Sequence, residues 1–415
     1  MKKNVNPAKG MRDFLPKEKE TRNFVENKIS ETYKNSGFEL IETPSVENLE
    51  NLMGSEGGDN IKLIYKIMKR GDKFNKAKGK ENAIENDFAD MGLRYDLTVP
   101  LSRFYCNNKA NLPAVFKAMQ IGYVFRAERA QKGRYRSFKQ CDIDIIGESS
   151  NAAEIELITT TSKALKALNV DKFKIRINDR RILRAVILNA GFEESQFENV
   201  CVIVDKLDKV GFEGVENELN KSEYSEDAIK SLIQALGKIN EDGIECLAAY
   251  GVDEEVVIWI KDIMTKVDKA LKNTVCVEFD FTLVRGMGYY TGTIFEIQYE
   301  GLGYAIGGGG RYDKMVGNFI GQDIPAVGFS IGFERLVNQM IEENYEIPGL
   351  GKIALLYDRE NDFADVMMYA DEIREQGYRV ALFEKAKKMG KQLSKLQDFG
   401  FNRFVVFGEG HIKEI

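Results

Sequence analysis

The 415-residue sequence predicts an α+β protein, and three observations carry that expectation. Phe125–Gly147, FRAERAQKGRYRSFKQCDIDIIG, sets two extended segments around a Gln131-Lys132-Gly133 turn, the pattern of a hairpin with one polar face. From about residue 181 to 271 the chain is charged and helix-patterned, as expected of a helical insertion. Past Pro348-Gly349-Leu350-Gly351, the segments IALLY, VALF and FVVFG alternate with helical stretches, which predicts a small α/β domain on a parallel sheet. The expected division is 1–346, with the insertion inside it, and 347–415.

Taken in order, AKGMRDFLP (residues 8–16) is a loop punctuated by Gly10 and Pro16. Lys17–Tyr33 predicts a helix, because Val25, Ile29 and Tyr33 recur every four residues, and Asn35-Ser36-Gly37 ends it. Phe38–Ile41 suits a short strand closed by Thr43-Pro44, since proline cannot donate to a ladder. Residues 70–91 are charged without apolar period and predict a surface loop. LRYDLTVP (93–100) is expected to be extended, with Pro100 opening a helix. In the arginine hairpin, strand alternation places Arg134 with Arg136 and Gln140 with Asp142 and Asp144. Ala152–Leu168 predicts an amphipathic helix through Ile155, Ile158, Ala164 and Leu165, and Phe173–Ile177 and Val275–Phe281 predict strands. Gly301–Val316 is expected to be a glycine-rich turn region, and Ala326–Met340 to run from strand into helix.

Composition removes several classes of chemistry. A net charge of −6 gives no global basic field, so a nucleic acid has to be met by a local patch. The five cysteines are scattered without CxxC spacing, which predicts reduced thiols and neither a disulfide framework nor a zinc site. No apolar run approaches a membrane span and the N-terminus lacks a signal-peptide core, so the expected location is cytoplasmic, with no membrane partner. His411 is the only histidine, so over the first 410 residues chemistry has to run on carboxylates, arginines, tyrosines or substrate groups.

Five stretches hold candidate functional residues. Asp96 and Thr98 can bind an ammonium group by charge-assisted hydrogen bonds, or simply cap a strand end. Arg126 and Arg134 can clamp phosphate or carboxylate oxygens bidentately, Phe138 can stack on a base, and Gln140 and Asp144 can meet a cationic or imidazole-bearing group. The structural alternative is a salt-bridged surface hairpin. Arg285-Gly286-Met287-Gly288-Tyr289-Tyr290-Thr291-Gly292 joins glycines that allow close backbone approach to two tyrosines, and serves equally as a glycine-bent turn. GYAIGGGGRYDKM (303–315) is neither a Walker A loop nor a dinucleotide GxGxxG, and its four glycines suit a ligand lying on the chain. In AVGFSIGFERLVNQM, Arg335 stands in the first turns of a helix, within reach of a phosphate or on an ordinary surface.

In this order the stretches resemble the histidyl-tRNA synthetase family of class II aminoacyl-tRNA synthetases over about residues 8–340. KGMRDFLP is similar to the family's N-terminal signature, GFELIETPSVE (37–47) to motif 1, the arginine hairpin to motif 2 and AVGFSIGFERL to motif 3. LVRGMGYYTGTIFE and GGGGRYD are similar to its two histidine motifs, with Met287-Gly288 where the family usually has Leu-Asp. The resemblance implies a mostly antiparallel catalytic sheet flanked by helices. It also implies ligation of L-histidine to tRNA(His) through a histidyl-adenylate made with ATP, and a homodimer joined through motif 1. By it, Arg126 would hold the α-phosphate and the histidine carboxylate, Arg134, Phe138 and Arg335 would bind ATP, and Arg285 would be the catalytic arginine. Asp96, Thr98, Gln140, Asp144, Tyr289 and Tyr290, with Arg126 and Arg285, would bind histidine, and Gln131, Lys132 and Arg136 would touch the tRNA acceptor end. Mg2+ would be held mainly through the ATP phosphates, without a dedicated protein site. From Lys352 onward the chain resembles the family's anticodon-binding domain in a shortened form that ends in GEGHIKEI. The alternative is a non-catalytic paralogue, the regulatory subunit of ATP phosphoribosyltransferase, against which the retained Arg126, Arg134, Arg285 and Arg335 stand.

Overall fold

The computed structural model describes residues 4–54, 59–129, 134–284, 288–300, 304–343, 345, 347–348 and 351–415. The chain divides into two compact units, one of residues 1–12 and 25–338 and one of residues 13–24 and 339–415.

The chain opens with α1 (Pro16–Asn35), which starts on its proline, where a missing N–H costs nothing, and fully buries Val25, Ile29 and Tyr33. There follow β1 (Glu39–Leu40), β2 (Val46–Asn48), α2 (Leu49–Gly54), β3 (Lys66–Met68), α3 (Gly71–Lys78), β4 (Ala89–Leu93) and α4 (Thr98–Asn108). Two expectations fail here. Residues 70–91 are not a plain loop: α3 forms because Ala77 is buried and the Phe74 ring meets Phe88 at 5.9 Å. Nor is 93–100 one strand. β4 stops at Leu93, and Asp96 accepts the Val99 N–H at 3.2 Å at the start of α4, so Asp96 and Thr98 share a helix entrance instead of a strand face.

The hairpin consists of β5 (Phe116–Phe125) and β6 (Ser137–Ile146), paired antiparallel from Phe116↔Ile146 to Phe125↔Ser137. The arginine run 126–136 is therefore the connection between the strands, and Arg134 and Arg136 are not neighbours on one strand face. α5 (Ala152–Lys166) and β7 (Phe173–Asp179) lead into the helical insertion, α6 (Arg180–Asn189), α7 (Phe197–Val204), α8 (Leu207–Asn220), α9 (Glu226–Asp242) and α10 (Glu254–Ala270). β8 (Cys276–Phe279), β9 (Thr293–Tyr299), β10 (Ala305–Arg311), α11 (Asp313–Ile320), β11 (Ala326–Gly332) and α12 (Phe333–Glu342) complete this part. Gly307–Gly310 are thus strand interior, not turn. Gly309 pairs with both Phe295 and Phe329, whose rings stack at 5.0 Å, and a Cβ there would lie 1.9 Å from the Gly328 carbonyl oxygen.

Among the described residues the main sheet has eight strands in the order β1-β5-β6-β11-β10-β9-β7-β8. The six central strands are antiparallel, and β1 and β8 pair parallel at the edges. Strand alternation gives the sheet two unlike faces. The row Met119, Ile143, Phe329, Gly309, Phe295 and Ile177 runs across the apolar core face. The next row, Gln120, Asp142, Ser330, Gly308, Glu296 and Arg176, is polar, and from Asp142 to Arg176 it floors a cleft.

The second unit has β12 (Lys352–Tyr357), α13 (Phe363–Glu375), β13 (Arg379–Glu384), α14 (Met389–Asp398), β14 (Arg403–Val406) and β15 (Lys413–Glu414). β13, β12 and β14 are parallel, as the alternation predicts, and β15 adds an antiparallel edge. One sheet face packs Ile353, Leu355 and Val405 on Val366, Ala370 and Ile373, and the other packs Ala354 and Leu356 on Leu396. Residues 13–24 belong to this unit: Glu20 pairs with Lys352 at 2.6 Å and with Arg379, and Phe24 meets the Tyr345 ring at 6.0 Å. Among the described residues no helix is long and apolar enough to cross a membrane.

Candidate active site

A cleft of about 1100 Å³ lies over the polar face of the eight-stranded sheet. It brings together ten of the residues singled out from the sequence: Asp96, Thr98, Arg126, Arg134, Phe138, Gln140, Asp144, Tyr289, Tyr290 and Arg335. Gln131, Lys132 and Arg285 lie outside the described residues. Arg136 is not in the cleft wall: its Nε donates to the Glu128 carbonyl at 2.9 Å, and its backbone N–H donates to Gly10 at 2.8 Å. The KGM segment therefore holds the hairpin connection, with Arg12 Nη1 donating to the Tyr135 hydroxyl at 3.0 Å.

One end of the cleft is acidic. Asp96, at the α4 entrance, and Asp142 and Asp144, on β6, are all buried. Burial pushes the Asp96 carboxyl up to about 6, against the opposing pull of the Val99 N–H and the Arg126 charge. Burial likewise pushes Asp144 to about 7, while the Tyr312 hydroxyl, donated at 2.6 Å, favours its ionised form. The Asp142 carboxyl is also raised, by burial and by the neighbouring Asp144. Gln140 Nε2 donates to the Ser330 hydroxyl at 3.0 Å. Asp96 Oδ2, Gln140 Oε1 and Asp142 Oδ1 are buried acceptors without a hydrogen-bond partner in the protein. Three such acceptors around one space suit a ligand that brings several N–H donors, as an ammonium or an imidazole does. Tyr289 and Tyr290 form the adjoining wall, with ring centroids 4.7 Å apart, and Tyr289 also meets Tyr312 at 6.1 Å.

The other end is basic. Arg126 leaves β5 and donates from Nε to the Tyr95 carbonyl at 2.9 Å, with its guanidinium 5.1 Å from the Phe138 ring centroid. One anchoring bond leaves further donors of the guanidinium fork for a ligand. Arg335, on α12, donates to the Ala305 carbonyl at 2.5 Å and lies 4.9 Å from the Tyr304 ring centroid. Arg134, half-exposed, pairs with Glu128 at 3.5 Å. The arrangement places an acid-lined, aromatic-walled pocket beside fixed guanidinium groups, which suits an amino acid and a polyphosphate held side by side.

A family model described as histidyl-tRNA synthetase matches residues 10–336. This chain belongs to that family. A histidine–tRNA ligase of Leifsonia xyli subsp. xyli is 42% identical over 415 residues, covering 96% of this chain and 94% of its own. The crystal structure of histidyl-tRNA synthetase from Nostoc sp. PCC 7120 superposes with a TM-score of 0.78 at 26% identity, covering 100% of this chain and 97% of that one. A structure titled as an ATP phosphoribosyltransferase regulatory subunit/histidyl-tRNA synthetase from Bacillus halodurans C gives a TM-score of 0.76 at 20% identity, covering 98% of each chain, and shares the fold.

The fold is the class II one of this family, and the stretches resembling motif 2, motif 3 and the two histidine motifs line the cleft. Motif 2 is the β5–β6 hairpin and motif 3 is β11 with α12; the GGGG run is β10 between them and β9. Asp142, Tyr312, Ser330 and Gly328 also line the cleft and stand outside the sequence-derived site residues. Asp142 shares the alternation of Gln140 and Asp144, and that parity marks it. Tyr312 directly follows the GGGGR run, but its partner Asp144 is 168 residues away, so only its position beside the glycines hints at a role. Ser330 faces the cleft across the strand from Asp142, with no sequence signal. Gly328 is required because a Cβ there would lie 2.1 Å from Asp144 Oδ1.

Proposed function

We propose that this chain is a catalytic histidine–tRNA ligase of the cytoplasm, activating L-histidine with ATP and passing the histidyl group to the 3′ end of tRNA(His). The observation that carries this reading is the acid-lined pocket beside fixed arginines on one sheet face, in a chain 42% identical to a named histidine–tRNA ligase. A carboxylate oxygen of histidine attacks the α-phosphorus of ATP, the new O–P bond forms, and the bond to the pyrophosphate oxygen breaks. That step needs positioned positive charge on a spreading anion and no protein nucleophile, which agrees with a chain whose only histidine is His411.

In this reading Arg126 holds the α-phosphate and the histidine carboxylate, and Phe138, Arg134 and Arg335 hold the nucleotide and its phosphates. Asp96, Thr98 and Gln140 take the ammonium group, and Asp144, Tyr289 and Tyr290 take the imidazole. Arg285 serves as the catalytic arginine, so Arg285→Ala slows adenylate formation by orders of magnitude. Mg2+ enters with ATP, held through its phosphates. Gln131, Lys132 and Arg136 guide the acceptor end, residues 347–415 meet the anticodon side, and two copies join through residues 37–47.

Histidine-dependent ATP–pyrophosphate exchange on the purified chain, with and without Mg2+, tests the reading. Exchange specific to histidine and dependent on Mg2+ is expected. Histidine binding without exchange would overturn it and favour the regulatory paralogue.

A further inference from the structure

Trp259, the only tryptophan of the chain, sits on α10 of the helical insertion, and it meets the catalytic sheet at Thr293 and Arg311 as well as Arg181 of α6. Its Nε1–H donates to the Thr293 hydroxyl at 3.0 Å, and that hydroxyl donates in turn to Asp179 Oδ2 at 3.2 Å. Asp179 is buried at the start of α6 and takes the Arg181 backbone N–H at 2.9 Å and its guanidinium at 2.8 Å. Two guanidinium carbons lie against the indole, Arg181 at 5.5 Å and Arg311 at 5.6 Å from the ring centroid. Arg311 is buried on Glu154, at 2.8 and 2.7 Å.

Both anchors lead into the amino-acid pocket. Thr293 follows Tyr290-Thr291-Gly292, and Arg311 precedes Tyr312, the donor to Asp144. The two segments are tied together: the Thr291 N–H donates to the Arg311 carbonyl at 2.8 Å, and the Asp313 N–H donates to the Thr291 hydroxyl at 3.1 Å. The Arg180 N–H, from the first residue of the insertion, donates to the Gly292 carbonyl at 2.9 Å. Packing at this joint is close, since a Cβ on Gly310 would lie 2.8 Å from the Tyr290 ring and one on Gly292 would lie 3.2 Å from Arg311 Cδ.

We propose that Trp259 is a positioning residue for the histidine pocket, fixing the Tyr289–Thr293 segment to the insertion through its indole N–H and its two arginine neighbours. The inference rests on the histidine-ligase reading above. It makes the helical insertion part of the amino-acid site, with no contact to substrate, and it assigns the effect to histidine affinity in particular.

The test is steady-state exchange with Trp259→Phe, which keeps the ring and loses the N–H, with Thr293→Val, which removes the acceptor, and with Thr293→Ser, which restores it. Trp259→Phe and Thr293→Val raise KM for histidine about fivefold, the loss of one hydrogen bond, while KM for ATP stays within about twofold and Thr293→Ser approaches wild type. Unchanged KM for histidine in both variants would overturn the proposal. So would a parallel change of both KM values and kcat with a lowered Tm, the mark of a merely structural role. If the wild-type chain shows no exchange, the ligase reading falls by itself. Histidine titration of the Trp259 fluorescence then decides the proposal: a saturable change expected in the wild type and weakened in Thr293→Val supports it, and no change overturns it.

Discussion

Tyr312 donates its hydroxyl to Asp144 Oδ1 at 2.6 Å, joining the residue after β10 to the last part of β6 inside a buried pocket. The hydroxyl favours the ionised carboxylate, whereas burial favours the neutral acid and holds Asp144 at about 7. Tyr312→Phe removes the opposing influence, so the Asp144 carboxyl rises above its present value. The acid limb of the pH profile of kcat/KM for histidine moves to higher pH, with activity near pH 7 falling and partly returning in base. Exchange rates measured across pH in both forms check this, and a limb that stays in place counts against ionised Asp144 as the imidazole partner.

Asp144 also costs the ligand-free fold stability. Its unfolded carboxyl ionises near 4, whereas the folded one keeps its proton to about 7, so between these values the unfolded state holds fewer protons. Stability therefore declines as pH rises through that window. Asp144→Asn removes the ionisation, and a gain on the order of 1–4 kcal/mol is expected above the window and none below it. Thermal melts at the two ends give the comparison, and the same variant loses histidine-dependent exchange. A variant that is no more stable in base than in acid, relative to wild type, would sink this account.

Gly328→Ala places a Cβ 2.1 Å from Asp144 Oδ1 and 3.1 Å from Tyr312 Cε1. Because the carboxylate is clasped by Tyr312, the intruding methyl displaces both. The expected cost is about 1–3 kcal/mol of stability together with at least a hundredfold loss of exchange. A melting curve and an exchange assay on one preparation suffice, and near-wild-type exchange would show that the pocket yields more easily than its packing indicates.

Arg126→Lys keeps the charge but not the fork. Lysine cannot both hold the Tyr95 carbonyl and present paired donors to a ligand, so exchange is expected to fall roughly a hundredfold or more. The circular dichroism spectrum should be unaltered. A drop of less than tenfold would leave Arg126 as a mere anchor of the strand end.

Leu40, on the edge strand β1, and Val46, on β2, are 55% and 40% exposed, within the stretch proposed to join two copies. Sedimentation at micromolar concentration is expected to give a dimer, and Leu40→Asp a shift towards monomer. A wild-type chain that sediments as a monomer would refute the assembly.

Much of the architecture was legible because period and punctuation agree with it. The Val25, Ile29 and Tyr33 stripe is fully buried, the 181–271 region is helical, and the alternation after residue 352 yields a parallel sheet. What escaped depends on contacts between segments, which no period within one segment reveals. α3 depends on a Phe74–Phe88 contact that no helical period announces, and the glycine run becomes a strand because Phe295 and Phe329 stack across it. The hairpin strands lie outside the arginine run because β5, FKAMQIGYVF, pairs with β6 over its whole length and leaves the basic residues to the connection. In the candidate site, residue types were legible within each stretch. The Tyr312–Asp144 clasp and the Ser330 partnership were not, since each is fixed only by sheet register.

Residues 13–24, early in the chain, complete a unit whose remainder is 339–415, and this imposes an order on biosynthesis. At ribosomal speeds of about 5–20 residues per second, roughly 20–80 s separate the emergence of these two parts. Throughout that interval the first half of α1 lacks Lys352, Arg379 and Tyr345, so the nascent chain carries a segment whose docking site has not been made. The larger unit can condense while it waits, but the smaller one closes only after the last strands are released. A fragment of residues 339–415 alone would be missing residues 13–24, a piece of its own unit that the ribosome made more than 300 residues earlier.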